Sequence, residues 1–215
     1  MDWAIRRRLM VERQLRGRGI WDERVLAAML EIPREEFVPE PQRASSYADE
    51  PASIGHGQTI SQPYMVALMV QCLELAGTET VLEVGGGCGY HAAVLAALAA
   101  RVITIELIPE LARMARQNLE RTGRSHNIVV VNADGSRGHA EFAPYDAISV
   151  AAAAPEVPPA LLEQLKDEGR MVMPVGSGWD QELLVLHKSG GEVRSRVAAY
   201  CRFVPLREGG PQDPD

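Results

Sequence analysis

Thr80–Val84 is a short apolar run that opens onto four glycines in five residues, Gly85-Gly86-Gly87-Cys88-Gly89, and the chain resumes as an Ala- and Leu-rich segment from Tyr90. A buried strand followed by a helix accounts for both flanks. The glycines between them let the backbone turn sharply and come close to a ligand. Taken alone, the loop serves equally well as a tight strand-to-helix turn. The same rhythm continues downstream. Apolar spacing predicts a helix over 90–100, a strand over 102–105, and a helix over Pro109–Arg121 with Leu111, Ala115 and Leu119 on one face. Strands follow at 128–131 and 147–150, a helix at 158–165, and strands at 171–175, 183–186 and 197–204. Short apolar strands alternating with helices predict an α/β fold, a doubly wound and mostly parallel seven-strand sheet covered on both faces. No helix separates the closing strands, so that end of the sheet is expected to be antiparallel.

The first sixty residues read differently. A basic, loosely amphipathic helix is expected over 5–15, ended by Gly17 and Gly19. Asp22 can cap a second helix with Val25, Leu26, Met29 and Leu30 on one face, and Pro33 stops it. Residues 47–59 are polar and punctuated by Gly and Pro, which predicts a loop. Pro63 suits the first turn of a helix, with Met65, Leu68, Met69, Cys72 and Leu73 as its apolar face. The expected organisation is a helical N-terminal cap and loop over 1–60, a core over 61–207 and a flexible tail over 208–215, all in one structural domain.

Composition narrows the possible partners. With 29 acidic against 22 basic residues the net charge is −7, which lacks the electrostatic footprint of a general nucleic-acid binder. No apolar run approaches the ~20 residues of a membrane-spanning helix. Arg6, Arg7 and Arg8 are not followed by the apolar stretch of a secretory signal. Cys72, Cys88 and Cys201 match neither a zinc spacing nor a disulfide framework, so a reduced, cytoplasmic compartment is expected.

Two further signals follow the glycine loop. Glu106 ends the next strand, 21 residues after Gly85, where an acidic group can accept both hydroxyls of a ribose. Asp134-Gly135 lies just past the third strand, and an Asp there can accept from an adenine amino group, although Asp-Gly by itself is more often a turn. All three positions fall at carboxyl ends of parallel strands, where open α/β sheets place ligands. Together they imply an adenosine-containing cofactor. No Walker-type Gly-Lys-Ser/Thr is present, and the spacing Gly-x-Gly-x-Gly is not that of dinucleotide binders. The loop carries Glu83 beside it and no Lys or Arg within it. That suits a cofactor with a positive centre, such as S-adenosylmethionine, better than a pyrophosphate.

The segment Gly55-His56-Gly57-Gln58-Thr59-Ile60-Ser61-Gln62-Pro63 leads into the Pro63 helix. Ser61 would stand near free N–H groups and the positive end of the helix dipole, a place that binds a carboxylate well. Physics alone leaves open that Ser61 or Gln62 simply caps the helix. The segment resembles a signature of the protein-L-isoaspartate O-methyltransferases, a family of Rossmann-like methyltransferases. So do Met10-Val11-Glu12-Arg13-Gln14-Leu15, Arg34-Glu35-Glu36-Phe37-Val38-Pro39, Ala152-Ala153-Ala154-Pro155-Glu156-Val157-Pro158-Pro159 and Arg202-Phe203-Val204-Pro205-Leu206. The resemblance runs over about residues 9–207.

The resemblance implies transfer of a methyl group from S-adenosylmethionine to the free α-carboxylate of L-isoaspartyl residues in damaged proteins and peptides. The ester then collapses to a succinimide without the enzyme. A carboxylate is already ionised at neutral pH and needs no general base. Catalysis would rest on alignment of the carboxylate oxygen with the S–CH₃ bond, which can be worth up to roughly 7–11 kcal/mol. Carried onto this chain, Ser61 is the catalytic residue, and Thr59, Ile60 and Ser61 surround the substrate. Glu83, Gly85, Gly87, Gly89, Glu106, Leu107, Asp134 and Gly135 bind the cofactor. The partners implied are isoaspartyl proteins and peptides, with no nucleic acid, membrane or metal, and the enzyme is expected to be a monomer.

The glycine loop departs from the family, which usually has Thr or Ser at position 86, Ser at 88 and Gln at 91; here these are Gly86, Cys88 and His91. Ala133 stands where the family usually has Gly. All of these fit sterically, with somewhat weaker cofactor binding expected. Trp179 stands either against the peptide substrate or as a surface loop aromatic. Two other readings remain. One is a carboxyl methyltransferase for an aspartate of a biosynthetic peptide, against which the lack of a long C-terminal extension counts. The other is a non-catalytic S-adenosylmethionine-binding module.

Overall fold

The computed structural model describes residues 2–178 and 180–209. Trp179 and most of the expected tail, 210–215, lie outside the described residues.

The chain opens with α1 (Trp3–Leu9), which runs directly into a π-helical stretch, Met10–Leu15, and a short 3-10 turn, Arg16–Arg18. Met10, Val11 and Leu15 are buried on the body of the protein, whereas Ile5 is 54% exposed. Asp22 caps α2 (Glu23–Glu31) by accepting from the Arg24 N–H at 2.9 Å. Val25, Leu26 and Met29 are buried, but Leu30, expected on the same face, is 43% exposed. At 100° per residue it turns just past the edge of the apolar stripe.

Residues 47–59 are not simply a loop. They contain a small antiparallel hairpin, β1 (Ala52–Gly55) and β2 (Gln58–Ile60), with His56 and Gly57 at its tip. β1 alternates buried and exposed residues, but over four positions only, too short a run to mark a strand in the sequence. Then come α3 (Pro63–Cys72), β3 (Thr80–Val84), α4 (Tyr90–Ala96), β4 (Arg101–Glu106), α5 (Pro109–Arg121), β5 (Ile128–Asn132), β6 (Tyr145–Val150) and α6 (Pro159–Gln164). The chain closes with β7 (Leu165–Ser177), β8 (Asp180–Ser189) and β9 (Glu192–Cys201). The helix expected over 90–100 ends at Ala96, and the last strand lies N-terminal of the expected 197–204. Gly190 and Gly191 both take positive φ, 59° and 82°, as a two-residue hairpin turn requires, so pairing begins at Ser189 with Glu192.

The seven-strand sheet has the order β5-β4-β3-β6-β7-β8-β9. The strands from β5 to β7 are parallel; β8 and β9 pair antiparallel. From β3 the chain winds outward one way to β5 and the other way from β6, so the topological switch lies between β3 and β6. One face of the sheet packs against α2, α3, α4, α5 and the Met10–Leu15 stretch in a single apolar cluster. The other face packs against Leu161 of α6 and the segment around Phe142. In α5, Leu111 and Leu119 are at most 1% exposed, and such burial contributes about 1.5–3 kcal/mol apiece. Among the described residues no helix is long and apolar enough to cross a membrane.

Candidate active site

The glycine loop is held from two sides. The Gly85 and Gly86 N–H groups donate to the Ile105 carbonyl at 2.9 and 3.0 Å. The Gly87 N–H donates to Glu106 Oε2 at 2.8 Å, and the Ile108 N–H donates to Glu106 Oε1 at 2.9 Å. Gly85, Gly87 and Gly89 take φ of 87°, 53° and 87°, which a side chain would strain. Gly89 ends the loop as the N-cap of α4, against the backbone of Ala115.

The departure at position 86 has a physical reason. A Cβ on Gly86 would stand 2.3 Å from Thr104 Oγ1. The Thr104 hydroxyl thus occupies space that a Ser or Thr at 86 would need. Gly86→Ser is expected to destabilise the protein by about 1–3 kcal/mol through overpacking. The penalty should largely vanish in a Thr104→Ala background. Thermal melts of the two single variants and the double variant measure it, and additive effects would refute the coupling.

A cleft opens at the switch point, outside the carboxyl ends of β3, β4 and β6. Its wall brings together Gly85, Gly87, Glu106, Leu107 and Gly135 with Thr59, Ile60 and Ser61. Asn132 steadies this edge by donating to the Glu106 and Leu107 carbonyls at 2.7 and 3.0 Å. Gly135 packs closely, since a Cβ there would meet Val84 Cγ1 at 2.5 Å.

Glu83, Gly89 and Asp134 are not part of that wall. Asp134 accepts from the Ser136 N–H and hydroxyl at 2.9 and 2.6 Å and from the Gly209 N–H at 3.0 Å. Burial works to raise its carboxyl, but these donors and Arg137 outweigh it and hold Asp134 below the ordinary carboxylate range. Glu83 lies fully buried beneath the loop. Burial pushes the Cys88 thiol up to about 11, which makes it a packing residue rather than a reactive one.

Ser61 stands just before α3, whose cap position is Gln62, with no side-chain cap bond. A second cavity lies beyond it, with Pro51, Gln62, Met65 and Tyr200 to Val204 in its wall. Thr59, Ser61, Ala151 and Val204 line both cavities. The segment after β9 completes the divide. It leaves the sheet and runs along 152–154, with the Ala153 N–H donating to the Val204 carbonyl at 2.9 Å and the Leu206 N–H to the Ala153 carbonyl at 2.7 Å.

Sequence reasoning missed Arg34. It is fully buried, with Nε donating to the Ser46 carbonyl and Nη2 to the Ser61 carbonyl, each at 2.7 Å. Its guanidinium carbon lies 5.0 Å from the Tyr90 ring centroid. Burial lowers its pKa, against the opposing effect of Tyr90 and Cys88. Its signal was its place in the Arg34-Glu35-Glu36 motif. Ile54 and Gln58, from the hairpin read as loop, were also missed as wall residues.

A family model described as protein-L-isoaspartate(D-aspartate) O-methyltransferase (PCMT) matches residues 6–210. The protein-L-isoaspartate O-methyltransferase of Koribacter versatilis is 53% identical over 204 residues, covering 95% of this chain and 91% of its own. A solved protein-L-isoaspartate O-methyltransferase superposes with a TM-score of 0.83 at 31% identity, over 95% of this chain and 66% of that one. A candidate protein-L-isoaspartate O-methyltransferase from Plasmodium falciparum, solved with S-adenosyl-L-homocysteine, superposes with a TM-score of 0.78 at 27% identity. That match covers 93% of this chain and 97% of the other.

Proposed function

The chain belongs to the protein-L-isoaspartate(D-aspartate) O-methyltransferase family, and from that premise we propose how its own residues carry the transfer. The enzyme moves a methyl group from S-adenosylmethionine to the α-carboxylate of L-isoaspartyl residues in damaged proteins and peptides. The observation that carries the residue assignment is the pair of cavities that share Thr59, Ser61, Ala151 and Val204. The cofactor takes the first cavity and the isoaspartyl peptide the second.

The first cavity suits the cofactor chemically. Its loop has glycine backbone where a side chain would intrude, and an acidic group at the end of β4. When bound, S-adenosylmethionine supplies an electrophilic methyl group on a positive sulfur. Glu106 accepts the ribose hydroxyls on the lone pairs that Gly87 and Ile108 leave open. Leu107 and Gly135 would hold the base, and the backbone of Gly85–Gly87 would hold the amino acid end. Asp134 secures the turn that carries Gly135. At the junction, the Ser61 hydroxyl donates to the substrate carboxylate while Thr59 and Ile60 wall it in. No group has to remove a proton, so the residues act by orientation.

The deciding experiment uses labelled S-adenosylmethionine and an isoaspartyl peptide. Base-labile methyl ester is expected on it and not on the matched aspartyl peptide; equal labelling of the two would overturn the reading. Ser61→Ala should lower kcat by about 10–100-fold, the value of one hydrogen bond to a charged acceptor. The Kd for S-adenosylhomocysteine should stay within about threefold. A matching loss of cofactor affinity would displace Ser61 from the junction. The reading extends to a monomer in the cytoplasm. The three cysteines, none bonded to another, support a reducing compartment, and gel filtration tests the monomer.

A further inference from the structure

Beneath the glycine loop lies a row of polar side chains that orientation of the substrate does not use. Glu83 on β3 is paired across the sheet with Thr104 on β4 and with Ser149 on β6, and all three are fully buried. His91, in the first turn of α4, closes the row, with Nδ1 3.7 Å from Glu83 Oε1. Both Glu83 oxygens, Thr104 Oγ1, Ser149 Oγ and His91 Nε2 are buried without a protein hydrogen-bond partner. Five such atoms in one place are a costly arrangement, and a charge added to it would be costlier still. The row therefore favours neutrality. Burial pushes the Glu83 carboxyl up to about 8, with the charge of Glu106 adding to the rise and the nearby Thr104 hydroxyl opposing it. Burial pushes His91 down to about 4. Burial thus favours the carboxylic acid form of Glu83 and the neutral imidazole of His91.

The row is buried beneath the loop and meets the cavity at His91, which belongs to both. We propose that Glu83, acting across His91, lets the pocket discriminate the cationic cofactor from its neutral thioether product. The carboxylic acid releases its proton to solvent when a sulfonium occupies the cavity, and keeps it when the thioether does. The inference rests on the cofactor reading above. The groups facing the carboxyl are His91 from α4, Thr104 and Glu106 from β4, Ser149 from β6 and Cys88 from the loop. Of these, Cys88 stays a thiol, because burial pushes it up to about 11. Glu83 is thus the one member of the row that can supply a full negative charge between pH 6 and 8.

Affinity for the cofactor should then rise with pH up to the free protein's Glu83 transition, while affinity for the thioether stays level. The ligands' own α-amino group titrates nearby, but both ligands carry it, so it cancels in their ratio. Calorimetry in phosphate and in Tris at pH 7 counts protons. Net release is expected with S-adenosylmethionine and none in excess of the shared amino group with S-adenosylhomocysteine. The affinity ratio of the two should grow with pH between 6 and 8, by up to about tenfold for each unit by which the sulfonium lowers the Glu83 pKa. Glu83→Gln should flatten that ratio. Equal proton release for the two ligands, or a ratio in Glu83→Gln that still climbs with pH, would overturn the proposal. Should Glu83→Gln not fold, the proton count of the unaltered protein decides alone. If neither ligand binds, the cofactor reading itself fails, and the proposal with it.

Discussion

Glu106→Gln is expected to weaken S-adenosylmethionine binding by about 10²–10³-fold, the largest loss from any single change around the cofactor cavity. The carboxylate already has two tasks before any ligand arrives. Its Oε2 fixes the Gly87 N–H at 2.8 Å and its Oε1 fixes the Ile108 N–H at 2.9 Å. Both are charge-assisted bonds, each worth about 1.5–3 kcal/mol. A glutamine must present its NH₂ to one of those N–H groups, so donor faces donor. One end of the loop is released, and on the proposed reading one acceptor for the ribose disappears. Two such losses together give the expected factor. Glu106→Asp keeps the charge but shortens the reach, so it should lie between the two. Calorimetry with the cofactor measures the effect, and a change of less than threefold would show that the loop does not depend on this carboxylate.

The position of Glu106 was legible from its distance to Gly85, but its double hold on the loop was not, because backbone N–H groups leave no mark in a sequence. The same division runs through the molecule. The face of α5 could be read from Leu111, Ala115 and Leu119, and the start of α2 from Asp22, because both are local patterns with a strong period or a single cap. β9 was misplaced because it is an edge strand. Glu192, Arg194 and Arg196 face solvent there, and the alternation that betrays a half-buried strand is absent. The hairpin before Ser61 escaped because its pairing takes hold over only a few residues. Asp134 was read as a ligand group from its place after a strand. Its carboxylate is taken up by Ser136 and by Gly209, which is distant in sequence, so no local pattern announces the partner. The polar row of Glu83, Thr104 and Ser149 exists only once the register of three strands is known.

The Thr104 hydroxyl also links that row to the loop above it. By filling the space beneath Gly86 it makes glycine the residue that fits there, and it stands next to the carboxyl of Glu83. The departures from the family's usual loop at 86 and 91 therefore fall on one buried cluster rather than on independent surface positions. A change at either should be felt first in cofactor preference and only then in turnover.

Arg34→Met is expected to lower kcat by about 10–100-fold while leaving the fold and the cofactor Kd nearly unchanged. The argument turns on two opposing costs. Removing the guanidinium leaves the Ser46 and Ser61 carbonyls without their donor, at about 1–3 kcal/mol each. It also relieves the burial of a charge that has no carboxylate bonded to it and whose Nη1 lacks a protein partner, a penalty of several kcal/mol. Methionine fills comparable space beside Tyr90 and needs no hydrogen bond. The melting temperature should therefore move little. What is lost is the tie between the N-terminal region and the strand of backbone that carries Ser61. The hydroxyl at the junction then wanders, and an effect that depends on alignment falls away while ground-state binding of the cofactor does not. Arg34→Lys, able to reach one carbonyl, should recover part of the rate. Steady-state kinetics with an isoaspartyl peptide, melts and calorimetry separate the cases. A purely structural Arg34 would lose stability, cofactor affinity and rate together, and an unchanged kcat would mean that Ser61 holds its place without it.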